Sequence, residues 1–348
     1  MVAIISNFQL IVDNCFDCAD IVAASLLVWK SYRYEIMFIN SWGFSFKPAP
    51  SGRISDGLNE WTGGILQPLE IYLGIKSIIQ KMEPQKAWNY VTQELYNERP
   101  VVLNVDLYWC PWHEHYQKNN RSHSIILLGI DEQNWTLDCM DKYTLQSLNG
   151  PYKMNFNEFV HAYQSLTIYS FIKPVVEIDW RVMIREAIIC MKEKADYDLY
   201  FALKKEKLNN RITLNFKSAQ SRFEKNNCFE EIRLLAQEIK RSSLANELYV
   251  KQNPLIASLI TIANGRRKFA YSLRYLGQKQ NVEHLVDIAR LMEYCSWHWN
   301  SAIKHLYNYL KAIDINEKNQ FCDEVKSLAV FEEMMADKLI ELSSKSIL

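Results

Sequence analysis

The 348-residue sequence lacks several features that would assign it directly to a class of protein. No apolar run approaches the roughly 20 residues that a membrane-spanning helix needs. Met1 is not followed by the charged start, apolar core and small-residue cleavage site of a secretory signal peptide. The 40 basic residues balance 40 acidic ones, so net charge gives no reason to expect nucleic acid or an anionic membrane as a partner. We therefore expect a cytoplasmic protein.

The cysteines are too few and too widely spaced to form a disulfide framework. Eight cysteines are spread over the whole chain, unlike the dense disulfide framework of small secreted domains, so we expect reduced thiols. Cys110, His113 and His115 lie close together, but a zinc site needs four ligands at suitable spacing and no second cluster supplies the others. The sequence therefore predicts neither a metal ion nor a bound cofactor.

Two kinds of hydrophobic pattern divide the chain. The first part mixes helical patterns with short β-rich runs, as in an α+β domain, at residues 101–108, 123–130, 135–141 and 167–172. From Trp180 onward, apolar residues recur at three- and four-residue steps, most clearly over 282–310, and no strand pattern is found. Because a chain of this length usually exceeds one hydrophobic core, we predict an α+β domain over 1–175 and an all-α helical domain over 176–348.

A cysteine at the start of a helix is the first candidate for chemistry. Asn14 is a good N-cap residue, and the sequence after it keeps a helical period to about Trp29. Cys15 would then lie in the first turn, where unpaired N–H groups and the positive end of the helix dipole favour a thiolate. Cys18, one turn later, is the second candidate because the dipole effect fades beyond the first turn. Both thiols are also compatible with the buried, unreactive cysteines that many proteins contain.

His123 is the candidate base for this cysteine. A cysteine nucleophile needs a base, usually histidine, and the histidine needs a third group that fixes its orientation. His123 begins a near-continuous apolar run, which is typical of a buried strand with the imidazole at its end. In a hairpin with the next strand, Asp141 falls opposite Ser124, beside His123, whereas Asp138 falls on the order of 10 Å further along the ladder. Asp141 is therefore predicted to orient His123.

Acyl transfer also needs hydrogen-bond donors for the oxyanion that develops on the carbonyl. Gln9 stands six residues before Cys15 and is one candidate donor. The backbone N–H of Cys15 at a helix start would be the second. Gln9 is equally compatible with an ordinary polar residue on a short strand.

These four residues, in this order, resemble the arrangement of papain-like cysteine peptidases. More narrowly, the chain resembles the family of butirosin biosynthesis H protein N-terminal domains, with relatives in nonribosomal peptide and polyketide gene clusters. The helical second half is similar in kind to the C-terminal region of that group. The stretches that carry the resemblance are "DNCFDCADIVAASLLVW", "YEIMFINSWGFSF", "RPVVLNVDLYWCPW" and "SHSIILLGIDEQNWTLDCMD".

The resemblance implies a papain-like fold and an acyl or aminoacyl transfer through a cysteine thioester. Carried over to this sequence, Cys15 is the nucleophile, His123 the base, Asp141 the orienting residue and Gln9 an oxyanion donor. The implied partners are an acyl or peptidyl carrier protein and an amine-bearing small molecule or peptide. Phosphopantetheine enters only as part of the carrier-protein substrate.

The resemblance also implies a substrate pocket near "INSWGFSF", residues 39–46. This segment matches a region that shapes the pocket in such relatives. Trp42 and Phe44 are therefore expected to line an acyl tunnel, although aromatic residues in this pattern are commonly part of a core.

Two other functions remain compatible with the sequence. Hydrolysis of a peptide, amide or thioester would use the same residues with water as the acceptor, and the difference depends on whether the closed site excludes water. Phe16 follows Cys15 where papain has tryptophan, which favours the transferase over a peptidase. The third function is a noncatalytic scaffold, and a homodimer is compatible with all three. A scaffold could dock its partners on Arg266, Arg267, Trp297 and Trp299 of the helical domain.

Overall fold

The computed structural model describes residues 2–59, 64–147, 151–171, 179–193, 227–247 and 253–344. The chain forms two compact units. The first comprises Met1–Tyr34 and Gly74–Lys173, and the second comprises Glu35–Leu73 and Pro174–Leu348. One division therefore falls at 173/174, two residues before the predicted boundary. The segment 35–73, which we expected in the first domain, groups instead with the second unit.

The first unit is built on a seven-stranded sheet whose strand order is β4-β9-β5-β6-β7-β8, with β1 paired to β6. Every pairing in this sheet is antiparallel. In the second unit, β2 and β3 form a separate antiparallel pair. In chain order, the described strands are β1 (Val2–Ile4), β2 (Ser45–Phe46), β3 (Leu58–Asn59), β4 (Ile75–Gln80), β5 (Val101–Asp106), β6 (Ser122–Asp131), β7 (Thr136–Met140), β8 (Tyr152–Asn155) and β9 (Tyr163–Phe171).

Long helices dominate the second unit, and shorter ones flank the sheet of the first. In chain order, the described α-helices are α1 (Cys18–Trp29), α2 (Ile54–Gly57), α3 (Leu66–Leu73), α4 (Pro84–Tyr96), α5 (Lys142–Ser147), α6 (Phe156–Ala162), α7 (Trp180–Glu193), α8 (Cys228–Arg241), α9 (Pro254–Gln280), α10 (Glu283–Ala312) and α11 (Ile315–Ser344). Short 3₁₀ turns occupy Glu35–Phe38, Leu107–Trp109 and Ala245–Glu247.

The expected α+β class of the first part and the helical character of the second are confirmed. The four predicted β-rich runs correspond to β5, β6, β7 and β9, and no strand occurs among the described residues from Trp180 onward. Sequence reasoning missed β4, an edge strand on which Ile78 and Ile79 are both exposed. Two adjacent exposed isoleucines break the alternation of buried and exposed residues that identifies a strand.

β6 is buried on both faces, and this explains its near-continuous apolar sequence. Ile125 and Leu127 belong to a core that includes Trp88 of α4, whereas Ile126 and Leu128 pack in a second cluster with Val22 and Leu26 of α1. Since side chains alternate along a strand, helices therefore cover the sheet on its two sides. His123 lies at the start of this strand, and α1 packs along it.

The predicted helix starts and faces of the second unit are also observed. Pro254 is the first residue of α9, and the Asn253 side chain caps the helix by accepting the Ile256 N–H at 3.3 Å. Along α10, the residues predicted to share one apolar face are largely buried, as for Leu285, Met292, Trp299 and Leu306.

A buried ion pair joins two of the long helices to the segment 35–73 inside the second unit. Arg266 of α9 and Glu332 of α11 are fully buried and share hydrogen bonds of 2.9 and 2.8 Å. Glu332 also accepts the indole N–H groups of Trp42 and Trp299, each at 2.7 Å. Arg266 donates to the Gly43 carbonyl at 2.7 Å. Every charge in this network therefore has hydrogen-bonding partners, as burial of charge requires.

Replacing Glu332 with glutamine is expected to lower the free energy of unfolding by about 3–5 kcal/mol, because the guanidinium of Arg266 would remain buried without its counter-charge. Denaturant unfolding followed by tryptophan fluorescence measures this effect. Glu333→Gln, at the next position of α11, removes a partly exposed ion pair with Arg233 and is expected to change stability by less than about 1 kcal/mol. Equal losses in the two variants would contradict this prediction.

Candidate functional site

The helix predicted to carry Cys15 in its first turn begins three residues later, at Cys18. Asp17 is the N-cap: its Oδ1 accepts the Asp20 N–H at 2.9 Å, while Asp20 Oδ2 accepts the Asp17 N–H at 3.0 Å. This reciprocal pair is a capping box, and it fixes the start of the helix. The prediction that Asn14 caps the helix and that Cys15 lies in its first turn is therefore wrong.

Cys15 is buried in a turn that precedes the helix, with 2% of its surface exposed. Its N–H donates to Asp13 Oδ1 at 3.0 Å. Cys18, in contrast, is only partly buried and is the first residue of α1. The helix-start effect expected for Cys15 therefore acts on Cys18.

Cys18 and His123 are near enough for each side chain to change the pKa of the other. Burial raises the pKa of the Cys18 thiol, but the interactions with His123 and a hydrogen bond from the Ser124 backbone outweigh burial and lower this pKa below its ordinary value. An adjacent imidazolium is a well-known way to stabilise a thiolate. Cys18 therefore has the properties of an activated nucleophile.

His123 is held between Cys18 and Asp141. Its Nε2 lies 2.8 Å from Asp141 Oδ2, and only 7% of His123 and 3% of Asp141 are exposed. Because Nε2 takes part in this bond, Nδ1 is the ring nitrogen that remains for Cys18. Burial lowers the pKa of His123, but the bond to Asp141 and the interactions with Cys18 raise it to about 9. The geometry and the charges thus favour a thiolate–imidazolium pair.

Asp141 is fixed by the start of α5. Its Oδ1 accepts the backbone N–H groups of Tyr143 and Thr144, each at 2.8 Å, and its own N–H donates to Thr144 Oγ1 at 2.9 Å. Burial raises the pKa of Asp141, but the bonds from His123 and from these two N–H groups lower it below its ordinary value. One carboxylate oxygen therefore caps a helix, and the other orients the imidazole.

The expected contact between His123 and Asp141 is present, although the strand register differs from the predicted one. Asp138 pairs with Gly129, and a bulge between Leu127 and Gly129 shifts the ladder. Asp141 follows the last residue of β7 instead of facing Ser124. The carboxylate reaches the imidazole because the chain turns into α5 at this point.

Gln9 is exposed between β1 and α1, and no hydrogen bond among the described residues joins it to Cys18, His123 or Asp141. It also precedes Cys18 by nine residues, so the spacing of six that supported it no longer applies.

Trp42 and Phe44, expected to line a substrate pocket, lie in the core of the second unit instead. Each is 1% exposed, which leaves no surface for a substrate. The Trp42 ring packs 5.1 Å from that of Phe269, and the Phe44 ring stacks 6.3 Å from that of Trp299. Their aromatic pattern therefore reflects core packing.

In the described part of the chain, no group of three or more histidine, cysteine, aspartate or glutamate side chains could hold a metal ion. None of the described helices combines the length and the apolar character needed to cross a membrane.

A known family model matches the part of the chain that contains Cys18, His123 and Asp141. Residues 17–141 match the family model described as "Butirosin biosynthesis protein H, N-terminal". This stretch is similar to that family. The resemblance found in the sequence is thus confirmed for the part of the chain that holds Cys18, His123 and Asp141, whereas Cys15 lies outside the match. No curated protein matches the chain.

The pH dependence of thiol alkylation is expected to reveal the pairing of Cys18 with His123. Iodoacetamide reacts with the thiolate, so a lowered pKa makes Cys18 react at lower pH than an ordinary cysteine of pKa about 8.5. Cys295 is fully buried, and burial raises the pKa of its thiol, so it should stay unreactive. Alkylation rates for each cysteine, measured by mass spectrometry across pH, test this. In His123→Ala the inflection for Cys18 should move to higher pH, and an unchanged inflection would contradict the pairing.

Proposed function

We propose that this protein is a cysteine acyltransferase or aminoacyltransferase of antibiotic or related secondary-metabolite biosynthesis. The observation that carries this proposal is the position of Cys18 at the start of α1 beside His123, whose Nε2 is bonded to Asp141. The family relationship supports the biosynthetic context, because the family is described by a butirosin biosynthesis protein. A papain-like fold is part of the proposal, and the order of a cysteine helix, a histidine strand and an aspartate on the same α+β unit supports it.

In the first half-reaction, the Cys18 thiolate attacks the carbonyl carbon of a carrier-bound thioester. The new S–C bond pushes an electron pair onto the carbonyl oxygen. N–H groups in the first turn of a helix lack intrahelical partners, and the N–H of Cys18 is suitably placed to donate to this oxyanion. The intermediate then collapses and expels the carrier thiolate, which takes the proton of the His123 imidazolium. The products are a Cys18 thioester and a neutral imidazole.

In the second half-reaction, an amine attacks the Cys18 thioester. The neutral His123 removes the proton of the attacking nitrogen, an amide forms, and Cys18 leaves as a thiolate beside the restored imidazolium. No proton is gained or lost by the protein over the cycle. The chain itself then needs no bound cofactor, and the phosphopantetheine arm belongs to the carrier-protein substrate. The proposed partners are therefore an acyl or peptidyl carrier protein and an amine-bearing small molecule or peptide.

The residues first considered as a docking surface do not support the scaffold alternative. Arg266 and Trp299 are fully buried, so neither can contact a partner. Trp297 remains 63% exposed, and Arg267 is partly buried. A thiol with a lowered pKa beside a buried histidine and aspartate is, in contrast, the arrangement expected of a catalytic site.

Acyl-pantetheine thioesters provide the test of this function. The full chain is incubated with acetyl, aminoacyl and longer acyl thioesters, and its intact mass is followed before and after addition of primary amines. We expect an acyl adduct that amines release as amides faster than water releases it as an acid. Release by water alone, at a rate that amines do not change, would identify a hydrolase. The absence of any adduct across the panel would contradict the proposed function.

A further inference from the structure

The Asp106 carboxylate helps to close the loop between β5 and β6. Asp106, the last residue of β5, accepts the backbone N–H groups of Tyr108 and Arg121 at 3.0 and 3.1 Å and the Asn120 side chain at 2.6 Å. The two ends of the loop are thereby tied together just before His123. Residues inside this loop can therefore hold defined positions relative to the imidazole.

His113 is the most buried histidine of this loop, with 5% of its surface exposed. Its Nδ1 accepts the His115 N–H at 3.2 Å, so the neutral ring carries its proton on Nε2. Nε2 is buried and, among the described residues, has no hydrogen-bond partner. The Tyr143 ring packs against His113, with ring centroids 4.2 Å apart and an interplanar angle of 68°.

The His113–Tyr143 pair also lies against the catalytic imidazole. The ring centroid of His123 is 5.7 Å from that of His113 and 5.8 Å from that of Tyr143. Tyr143 contributes in a second way, since its backbone N–H is one of the two that hold Asp141 Oδ1. Both residues therefore border His123, and Tyr143 also holds Asp141.

The charge of His113 suits this position. Burial, followed by the neighbouring His123 and His115, lowers the pKa of His113. A neutral ring places no second positive charge beside the His123 imidazolium and does not compete for the Asp141 carboxylate. His113 instead presents a neutral aromatic ring, in one fixed tautomer, to His123.

We propose that His113 and Tyr143 are positioning residues that shield the His123–Asp141 hydrogen bond from water and keep Nδ1 of His123 turned toward Cys18. Water at this place would compete for the Asp141 carboxylate and allow the imidazole to rotate. A hydrogen bond in a water-excluded, low-dielectric site is electrostatically stronger than one in solvent. The catalytic consequence rests on the proposed function, whereas the shielding itself can be measured without any substrate.

The direct test is the exchange of the His123 Nε2 proton in the full chain labelled with ¹⁵N-histidine. We expect a downfield imidazole N–H signal that exchanges slowly with water, assigned by its loss in His123→Ala. His113→Ala and Tyr143→Ala should speed its exchange or broaden it beyond detection. His113→Phe, which restores an aromatic wall, should recover the slow exchange. Tyr116→Ala, in the same loop, serves as a control for general loosening and should leave the signal unchanged.

Kinetics provide the second readout. With an acyl-pantetheine thioester and a primary amine, His113→Ala should lower kcat between about tenfold and about 10²-fold through misplacement of the imidazole, with little change in KM. His113→Phe should recover most of this loss. Slow proton exchange that persists in His113→Ala and Tyr143→Ala would overturn the proposal. Fast exchange in these variants, together with a wild-type protein that forms no acyl adduct, would retain the shielding and reject the proposed function.

Discussion

Cys18→Ala is expected to abolish amide formation from an acyl thioester and an amine, whereas Cys15→Ala should retain it. Among the cysteines that the structure describes, only Cys18 is partly buried, occupies the first position of α1 and has its pKa lowered by His123. In the proposed mechanism Cys18 carries the acyl group, so its replacement removes the covalent route. Losses on the order of 10⁶-fold are known for such nucleophiles. Steady-state amide formation measured by chromatography gives the comparison.

The matched control is informative because the two cysteines are only three residues apart. Cys15→Ala removes a buried sulfur and can lower stability slightly, so circular dichroism and denaturant unfolding should accompany its rate. We expect a rate within severalfold of that of the wild type. Loss of activity in Cys15→Ala with a normal fold, and retention of activity in Cys18→Ala, would reverse the assignment.

Asp141→Asn is expected to lower kcat/KM by about 10²- to 10⁴-fold, the range seen when the orienting carboxylate of a catalytic histidine is neutralised. The hydrogen bond that His123 donates to Asp141 helps to raise the pKa of His123 to about 9, so without this carboxylate the pKa falls. In the proposed mechanism, imidazolium protonates the leaving thiolate, so activity is expected to fall as pH rises through the pKa of His123. The alkaline limb of the pH profile, near 9 in the wild type, should move to lower pH in the variant.

Asp138→Asn is the control for this prediction. Asp138 is also buried and acidic, but it lies in the middle of β7 and pairs with Lys153 on β8. Its replacement should leave the alkaline limb unchanged, even if it costs stability. An equal shift of the limb in the two variants would show that general negative charge, and not the specific bond to His123, sets the pKa.

The His123–Asp141 contact could be predicted from the sequence because it depends on local geometry. A β-hairpin brings the residues at the open ends of its two strands together, whatever the details of the turn. The bulge between Leu127 and Gly129 shifted the ladder without separating the two side chains. The contact does not depend on the exact strand register. Asp141, and not Asp138, could therefore be predicted as the partner of His123, although the predicted strand pairing was wrong.

The choice between Cys15 and Cys18 could not be made from local signals. Asn14 and Asp17 are both good capping residues, and each is followed directly by a cysteine. The reciprocal bonds between Asp17 and Asp20 decide where the helix begins. An aspartate three residues after each candidate cap gives the sequence two similar capping patterns, and the contact with His123, 105 residues away, distinguishes the cysteines only after folding.

The position of Trp42 and Phe44 was unpredictable for a different reason. They stand early in the chain, yet the partner of the Trp42 indole is Glu332, separated by 290 residues. No periodicity within the segment 35–73 indicates that it packs with helices from the other end of the chain. In the sequence, this long-range packing is indicated only by aromatic residues, and such residues occur both in hydrophobic cores and in substrate pockets.

The residue that carries the acyl group is the most direct test of the proposed mechanism. The wild-type protein is incubated with an acyl-pantetheine thioester, quenched at low pH, digested, and analysed by tandem mass spectrometry. We expect the acyl group on Cys18, within the peptide that begins α1, and no stable acylation of Cys15. An acyl group on Cys15, or modification spread evenly over the accessible cysteines, would contradict the assignment of Cys18 as the nucleophile.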